Sequence, residues 1–247
     1  MPDPTLWAVA AAILVVAALY ASVGHGGASG YIAVMALAGI APAVLRPSAL
    51  ALNVIVSSLA GLHFWRAGHF RWRLLWPFAI TSIPAAFLGG WLTLPDPVYK
   101  RLVGGVLLVA AGWLFRTAAR PRDQDVHPPP VWVAAGFGVV LGLLAGLTGV
   151  GGGIFLSPLL LAAGWAGARE TAAVSAVFIL VNSLAGLAAQ PAALSSLPAG
   201  VALWAGAALT GGVIGARLGS RRLGGTAIRR LLAGVLVLAG IKFLFLI

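Results

Sequence analysis

Apolar positions run along this 247-residue chain in long unbroken stretches, with neither the alternation of a half-buried strand nor the one-sided stripe of a surface helix. No Asp, Glu, Lys or Arg occurs between Asp3 and Arg46, between Asp125 and Arg169, or between Glu170 and Arg217, leaving charge-free runs of 42, 43 and 46 residues. A helix needs about 20 apolar residues to cross bilayer hydrocarbon, so each run predicts two membrane segments. Single-segment runs lie at 47–65, 74–95, about 98–117 and about 227–246, the last two with basic ends that can snorkel. The pattern predicts an all-α polytopic membrane protein with ten hydrophobic segments, or eight full crossings if two of them only dip in.

Composition sharpens this. At 61% hydrophobic and 9% charged residues, the chain cannot cover a soluble domain with polar surface. The one long polar stretch is Arg116 to Pro130, with Arg120, Arg122, Asp123, Asp125, His127 and four prolines. Sixteen Lys and Arg against five acids, a net charge of +11, would suggest nucleic acid in a soluble chain. Here the basic residues lie between apolar segments, where they set orientation; the expected partner is the lipid bilayer and no nucleic acid. The absence of Cys excludes disulfides and thiolate metal sites. The N-terminus turns apolar at Leu6 without a basic region before it, so it is expected to stay as a crossing and not to act as a signal peptide.

With ten segments, twelve basic residues gather on one side: Arg66, Arg71, Arg73, Arg116, Arg120, Arg122, Arg169, Arg217, Arg221, Arg222, Arg229 and Arg230. Four are left for the other: Arg46, Lys100, Arg101 and Lys242. If the second and seventh segments return to their side of entry, the split evens to seven against nine. The positive-inside rule therefore favours the ten-segment parity, with both termini outside. Helical hairpins entering and leaving on one side would give the same parity.

The chain also repeats itself. At an offset of 125, Gly24, Gly26 and Gly27 fall on Gly149, Gly151 and Gly152, Gly39 falls on Gly164, and Ser58-Leu59-Ala60-Gly61-Leu62 falls on Ser183-Leu184-Ala185-Gly186-Leu187. Lys100-Arg101-Leu102 and Gly105 match Arg229-Arg230-Leu231 and Gly234 after a small slip. The predicted organisation is a first half at 1–118, a polar Pro-rich loop at 119–130 and a second half at 131–247. Five segments per half is an odd number, so the halves are expected to be inverted, as in many secondary transporters whose site lies where the repeats meet.

Within each half the second segment is short and broken. Ala28 to Leu45 contains Gly30, Gly39 and Pro42, and Gly153 to Ala168 contains Pro158, Gly164 and Gly167. Paired Gly/Pro-interrupted segments are the best sequence pointer to a transporter site. Before them stand Ser22-Val23-Gly24-His25-Gly26-Gly27-Ala28-Ser29-Gly30 and Thr148-Gly149-Val150-Gly151-Gly152-Gly153. Consecutive glycines let peptide N–H groups turn toward one point and the following helix adds its positive end, a combination suited to a small anion. The candidate binding residues are Gly24, His25, Gly26, Gly27, Ser29, Thr148, Gly149, Gly151, Gly152 and Gly153. Close helix packing or a surface turn would use the same glycines.

The third segment of each half adds Asn53, Ser57 and Ser58, and Ser175, Asn182 and Ser183. Asn53 and Ser57 share a helix face, and Ser57 holds the repeat position of Asn182. Interhelical bonding is their alternative role, and the asparagines rank above the serines because an unpartnered amide in hydrocarbon is costly. His25 is the one titratable side chain in a glycine break. It can bind an anion, carry a proton or sit as a loop histidine near the surface. His63, His69 and His127 read as interfacial, and Arg46 either reaches the site or snorkels.

Missing residues narrow the function. The five acids map to termini or loops, leaving no intramembrane carboxylate for a sodium ion or proton relay. Scattered histidines without carboxylates make no metal site. There is no Gly-x-Ser-x-Gly, His-Glu-x-x-His or Walker sequence, so neither an intramembrane hydrolase nor an ATP-driven machine is expected, and no cofactor.

Two halves that each open on a glycine cluster, Gly24-His25-Gly26-Gly27 and Gly149-Val150-Gly151-Gly152-Gly153, and share Ser-Leu-Ala-Gly-Leu downstream resemble the TauE/SafE family of membrane permeases, often called sulfite exporters. The similarity covers roughly Leu6 to Ile247. It implies an inner-membrane carrier for small sulfur-containing anions such as sulfite, sulfonate or sulfoacetate, moved outward. The first cluster departs from the more usual Gly-x-Gly-Gly-Gly at Ala28. The expectation is alternating access around a glycine-rich midplane site; an anion channel and a non-transporting scaffold are the rival classes. Oligomeric state stays open, a homodimer included.

Overall fold

The computed structural model describes residues 4–40, 42–92, 127–194, 197–198 and 200–221, with scattered residues between 95 and 115 and between 226 and 244. Among the described residues the regular structure is helical: α1 (Pro4–Ser22), α2 (Ala28–Leu37), α3 (Pro42–Arg66), α4 (Trp72–Trp91), α5 (Val131–Thr148), α6 (Gly153–Ala163), α7 (Ala168–Ala188), α8 (Pro191–Leu194) and α9 (Val201–Arg221). Six of these are long and apolar enough to cross a membrane. Hydrocarbon offers the backbone no water to bond, so a lipid-facing segment must satisfy its own peptide groups, which is why these residues become helices. Trp65, Trp72 and Trp132 lie exposed at one end of the bundle and Trp91 at the other, as an aromatic belt requires. The protein is a multi-pass membrane protein.

Two interfaces are zipped by glycine. Gly138, Gly142 and Gly146 of α5 lie against the carbonyls of Phe78, Ser82 and Ala86 of α4. Likewise Gly211, Gly215 and Gly219 of α9 lie against those of Leu14, Ala18 and Ser22 of α1. Rising numbers match rising numbers, so both pairs run parallel. Between them α3 and α7 cross antiparallel, with Leu50 beside Gly186 and Gly61 beside Val177.

These directions separate the two sequence topologies. If the second and seventh segments merely dipped and returned, α3 and α7 would run parallel; they run opposite, which excludes the eight-crossing arrangement and matches the ten-segment parity. Arg66, Arg71, Arg73, Arg169, Arg217 and Arg221 gather at the end where α3 and α9 finish and α4 and α7 begin. There Arg71 pairs with Glu170 at 2.9 Å, and Glu170 also accepts from the Gly167 amide at the start of α7.

Boundaries differ from expectation in three places. The helix expected from 47 begins at Pro42, a residue suited to the first helical position, and continues through Pro47 inside it. Arg46 is thereby drawn into the bundle. The segment expected at 74–95 spans Trp72–Trp91, and the short α8 after Gln190 was not foreseen. The fifth and tenth segments and most of the 119–130 loop fall outside the described residues, although Gly104 and Gly240 each face the other's carbonyl.

Candidate functional site

The site grows out of the two places where the helices stop. α1 ends at Ser22 and α2 starts at Ala28; between them Gly24 and Gly27 take φ of 77° and 100°. α5 ends at Thr148 and α6 starts at Gly153, with Gly149, Gly151 and Gly152 at φ of 70°, 78° and 77°. Side chains rarely adopt this left-handed region, so these positions call for glycine. Each break is buried within protein, the one setting in which non-helical backbone survives at membrane depth.

Asn53, fully buried near the middle of α3, joins the breaks. Its Oδ1 accepts from the Ala28 amide at 3.2 Å, at the start of α2. Its Nδ2 donates to the Val150 carbonyl at 3.4 Å and to Ser183 Oγ at 3.0 Å. A Cβ on Gly26 would lie 1.8 Å from Asn53 Oδ1, and one on Gly151 would lie 2.5 Å from Asn53 Nδ2 and 2.8 Å from Ser183 Oγ. Both glycine clusters therefore press on one amide. Among the described residues the amides of Gly26, Gly27, Gly151 and Gly152 donate to no protein acceptor.

His25 lies wholly inside, which removes the surface-loop reading. Its Nδ1 stands 3.1 Å from the Val23 carbonyl and its Nε2 3.1 Å from the Gly153 carbonyl and 3.3 Å from Ser157 Oγ, so the ring of the first break reaches into the second half. Ser157 donates onward to Ser175 at 2.7 Å. Ser29 bonds Tyr20 at 2.9 Å, and Tyr31 donates to the Gly26 carbonyl at 2.5 Å. A cavity of about 10 Å³ lies among these groups, walled by Val150, Ile154 and Ile179 and at the limit of what one water needs.

The other expected residues serve the scaffold around this centre. Ser57 donates to the Asn53 carbonyl at 2.6 Å, and Asn182 donates from Nδ2 to the Phe178 carbonyl at 2.8 Å, the same bond at the repeat-related position. Asn182 Oδ1 is buried and unbonded among the described residues. Ser58 folds back onto Val54 at 2.7 Å. Thr148 bonds Leu144 at 2.6 Å and accepts from the Val150 amide at 3.3 Å, pinning the second break. Gly24 and Gly149 are contact points, the former against the backbone of Ala172 and the latter against the stem of Arg46.

Arg46 reaches inward. Its guanidinium donates to Gly146 and, at 3.4 Å, to Gly89 and Gly90, covering carbonyls near the ends of α4 and α5. Cations suit helix C-termini. Sequence reasoning missed Ser157, Tyr20 and Tyr31. Ser157 lies one turn after Gly153, so a search along α6 would find it; the tyrosines carry no signal within an apolar run.

Among the described residues no group of His, Cys, Asp or Glu could hold a metal ion. Glu170 is the one described acid, and its ion pair is at the bundle's end. What the centre offers is peptide N–H groups, one amide, hydroxyls and one imidazole, a set that binds a small anion better than a cation.

The family model described as "Sulfite exporter TauE/SafE" matches residues 9–243. A curated relative, "Probable membrane transporter protein y4hK" of Sinorhizobium fredii, is 42% identical over 240 residues, covering 96% of this chain and 97% of the relative. No solved structure matches the chain. The helical bundle and a match over nearly the whole chain lead to one conclusion: this chain belongs to the TauE/SafE family, and it is a membrane transporter and not an enzyme.

Proposed function

We propose that the chain exports small sulfur-containing anions, such as sulfite, sulfonate or sulfoacetate, across a bacterial inner membrane by alternating access. The observation that carries this reading is the convergence of both glycine breaks on Asn53, with four peptide amides there lacking a protein acceptor. The anion head takes those amides, flanked by Asn53, Ser183 and His25; Ser29, Ser57, Thr148 and Asn182 support the surrounding backbone. The substrate class comes from the family description and the anion character from the donor set.

The packing supports an inverted repeat. Exchanging the halves turns the α4–α5 pair into the α9–α1 pair, maps the α3–α7 crossing onto itself, and carries the Ser57 bond onto the Asn182 bond. Gly104 and Gly240, which face each other, lie on the fifth and tenth segments, and the exchange maps those two segments onto each other. Rocking one half against the other then opens the centre to each side in turn. The tightly walled centre favours a carrier over a channel, since a channel needs a continuous pore. Export from a negative-inside cell is downhill by about 2.3 kcal/mol per charge per 100 mV, so no coupling carboxylate is needed.

Proteoliposomes held at a set potential test this. Sulfite, offered as its dianion, is expected to move toward the positive side at a rate that rises with protein and saturates with anion. Absence of flux for every sulfur anion offered would sink the substrate assignment.

A further inference from the structure

The hydrogen-bond partners of His25 impose a condition on its charge. Val23 O and Gly153 O can only accept, and the Ser157 hydroxyl proton is committed to Ser175. Three acceptors thus surround the ring and no donor faces it. A neutral imidazole has one N–H, so one ring nitrogen must point its lone pair at an oxygen lone pair; an imidazolium satisfies both sides. Yet an imidazolium buried without a countercharge is costly, and among the described residues no carboxylate, Lys or Arg lines the cavity. The titratable groups facing it are Tyr20 of α1 and Tyr31 of α2, whose hydroxyls are bonded to Ser29 and Gly26; α6 and α7 present only serines.

We infer that His25 takes up a proton together with the anion, so that the loaded site holds an imidazolium and its anionic counter-ion. This rests on the proposed anion site and adds its coupling. The lone pair of the bare ring nitrogen accepts one proton from the aqueous phase as the anion enters and returns it on release, and no bond to the anion forms. Proton and anion each strengthen the other's binding by the same factor. Ser157, held by Ser175, is the positioning residue that keeps an acceptor on Nε2.

Two readouts test it. In proteoliposomes at zero potential, with methanesulfonate as a probe whose charge is fixed between pH 6 and 8, one-proton linkage predicts flux at low anion falling by about tenfold per pH unit above the midpoint. His25→Gln is expected to flatten this profile whatever its absolute rate. A flat wild-type profile, or a variant as steep as wild type, overturns the inference. Independently, nitrogen NMR on protein whose other histidines are replaced (His63→Gln, His69→Gln, His127→Gln) follows the His25 ring at pH 7. Adding sulfite is expected to convert one bare and one protonated nitrogen into two protonated ones, and an unchanged ring overturns it. Failure of flux with conversion of the ring would retire the transport reading and keep proton-linked anion binding.

Discussion

Asn53 spends each end of one amide on a different half of the molecule, accepting from Ala28 and donating to Val150 and Ser183. The sequence marked it for that reason, because an amide in hydrocarbon must find partners. Asn182 drew the same argument and the structure answers differently, with its Nδ2 on its own helix and its Oδ1 unbonded among the described residues. A buried unpaired oxygen costs about 1–3 kcal/mol. Asn182→Ser, which installs the residue found at the repeat-related position, is therefore expected to leave the melting temperature in detergent unchanged or higher. If Asn182 completes the anion site when the halves rock, the same variant loses flux by tenfold or more. A lower melting temperature would show that the amide oxygen has a partner essential to the fold. The tyrosines were illegible in sequence because an aromatic in an apolar run has no local signature; only the packing of α1 and α2 around the first break gives them a role.

At the scale of elements, helix direction is decided by glycine spacing. In the α4–α5 and α1–α9 pairs a glycine every fourth residue lets backbone meet backbone, the close approach that replaces hydrophobic driving force in lipid. A Cβ at Gly142 would lie 2.3 Å from the Ser82 oxygen and one at Gly215 2.0 Å from the Ala18 oxygen. Gly142→Ala and Gly215→Ala are each expected to destabilise by about 1–3 kcal/mol, the range for overpacking. Gly136→Ala and Gly206→Ala, on the same helices with nothing within 4 Å, are expected to cost nothing. Thermal unfolding in detergent compares the four, and equal losses would refute the zipper. The sequence made these segments visible as apolar runs but not their pairing, since spaced glycines occur in several runs and only three-dimensional packing shows which face carbonyls. The early start of α3 was hidden by Pro47 and Arg46, which read as a boundary in one dimension and lie within the helix in three.

For the whole molecule, parity and charge agree. The antiparallel crossing of α3 and α7 favours the arrangement that the basic residues also favour, with the Arg-rich end facing the cytoplasm. Because the chain has no Cys, single cysteines report this directly. An impermeant maleimide is expected to label Ala192→Cys in intact cells and Arg73→Cys only after permeabilisation, and the reverse pattern would invert the topology. The apolar runs and the glycine breaks were legible because membrane burial writes them as composition. That the breaks meet was not, since it depends on how α3 and α7 cross. The central claim is that two breaks, 125 residues apart, form one anion site. Its most direct test is potential-driven sulfite flux for wild type, Gly26→Val and Gly151→Val in proteoliposomes, with each variant first shown to elute and melt as a folded protein. Either substitution alone is expected to abolish flux, because each side chain displaces Asn53; persistence of flux in either folded variant would contradict a shared site.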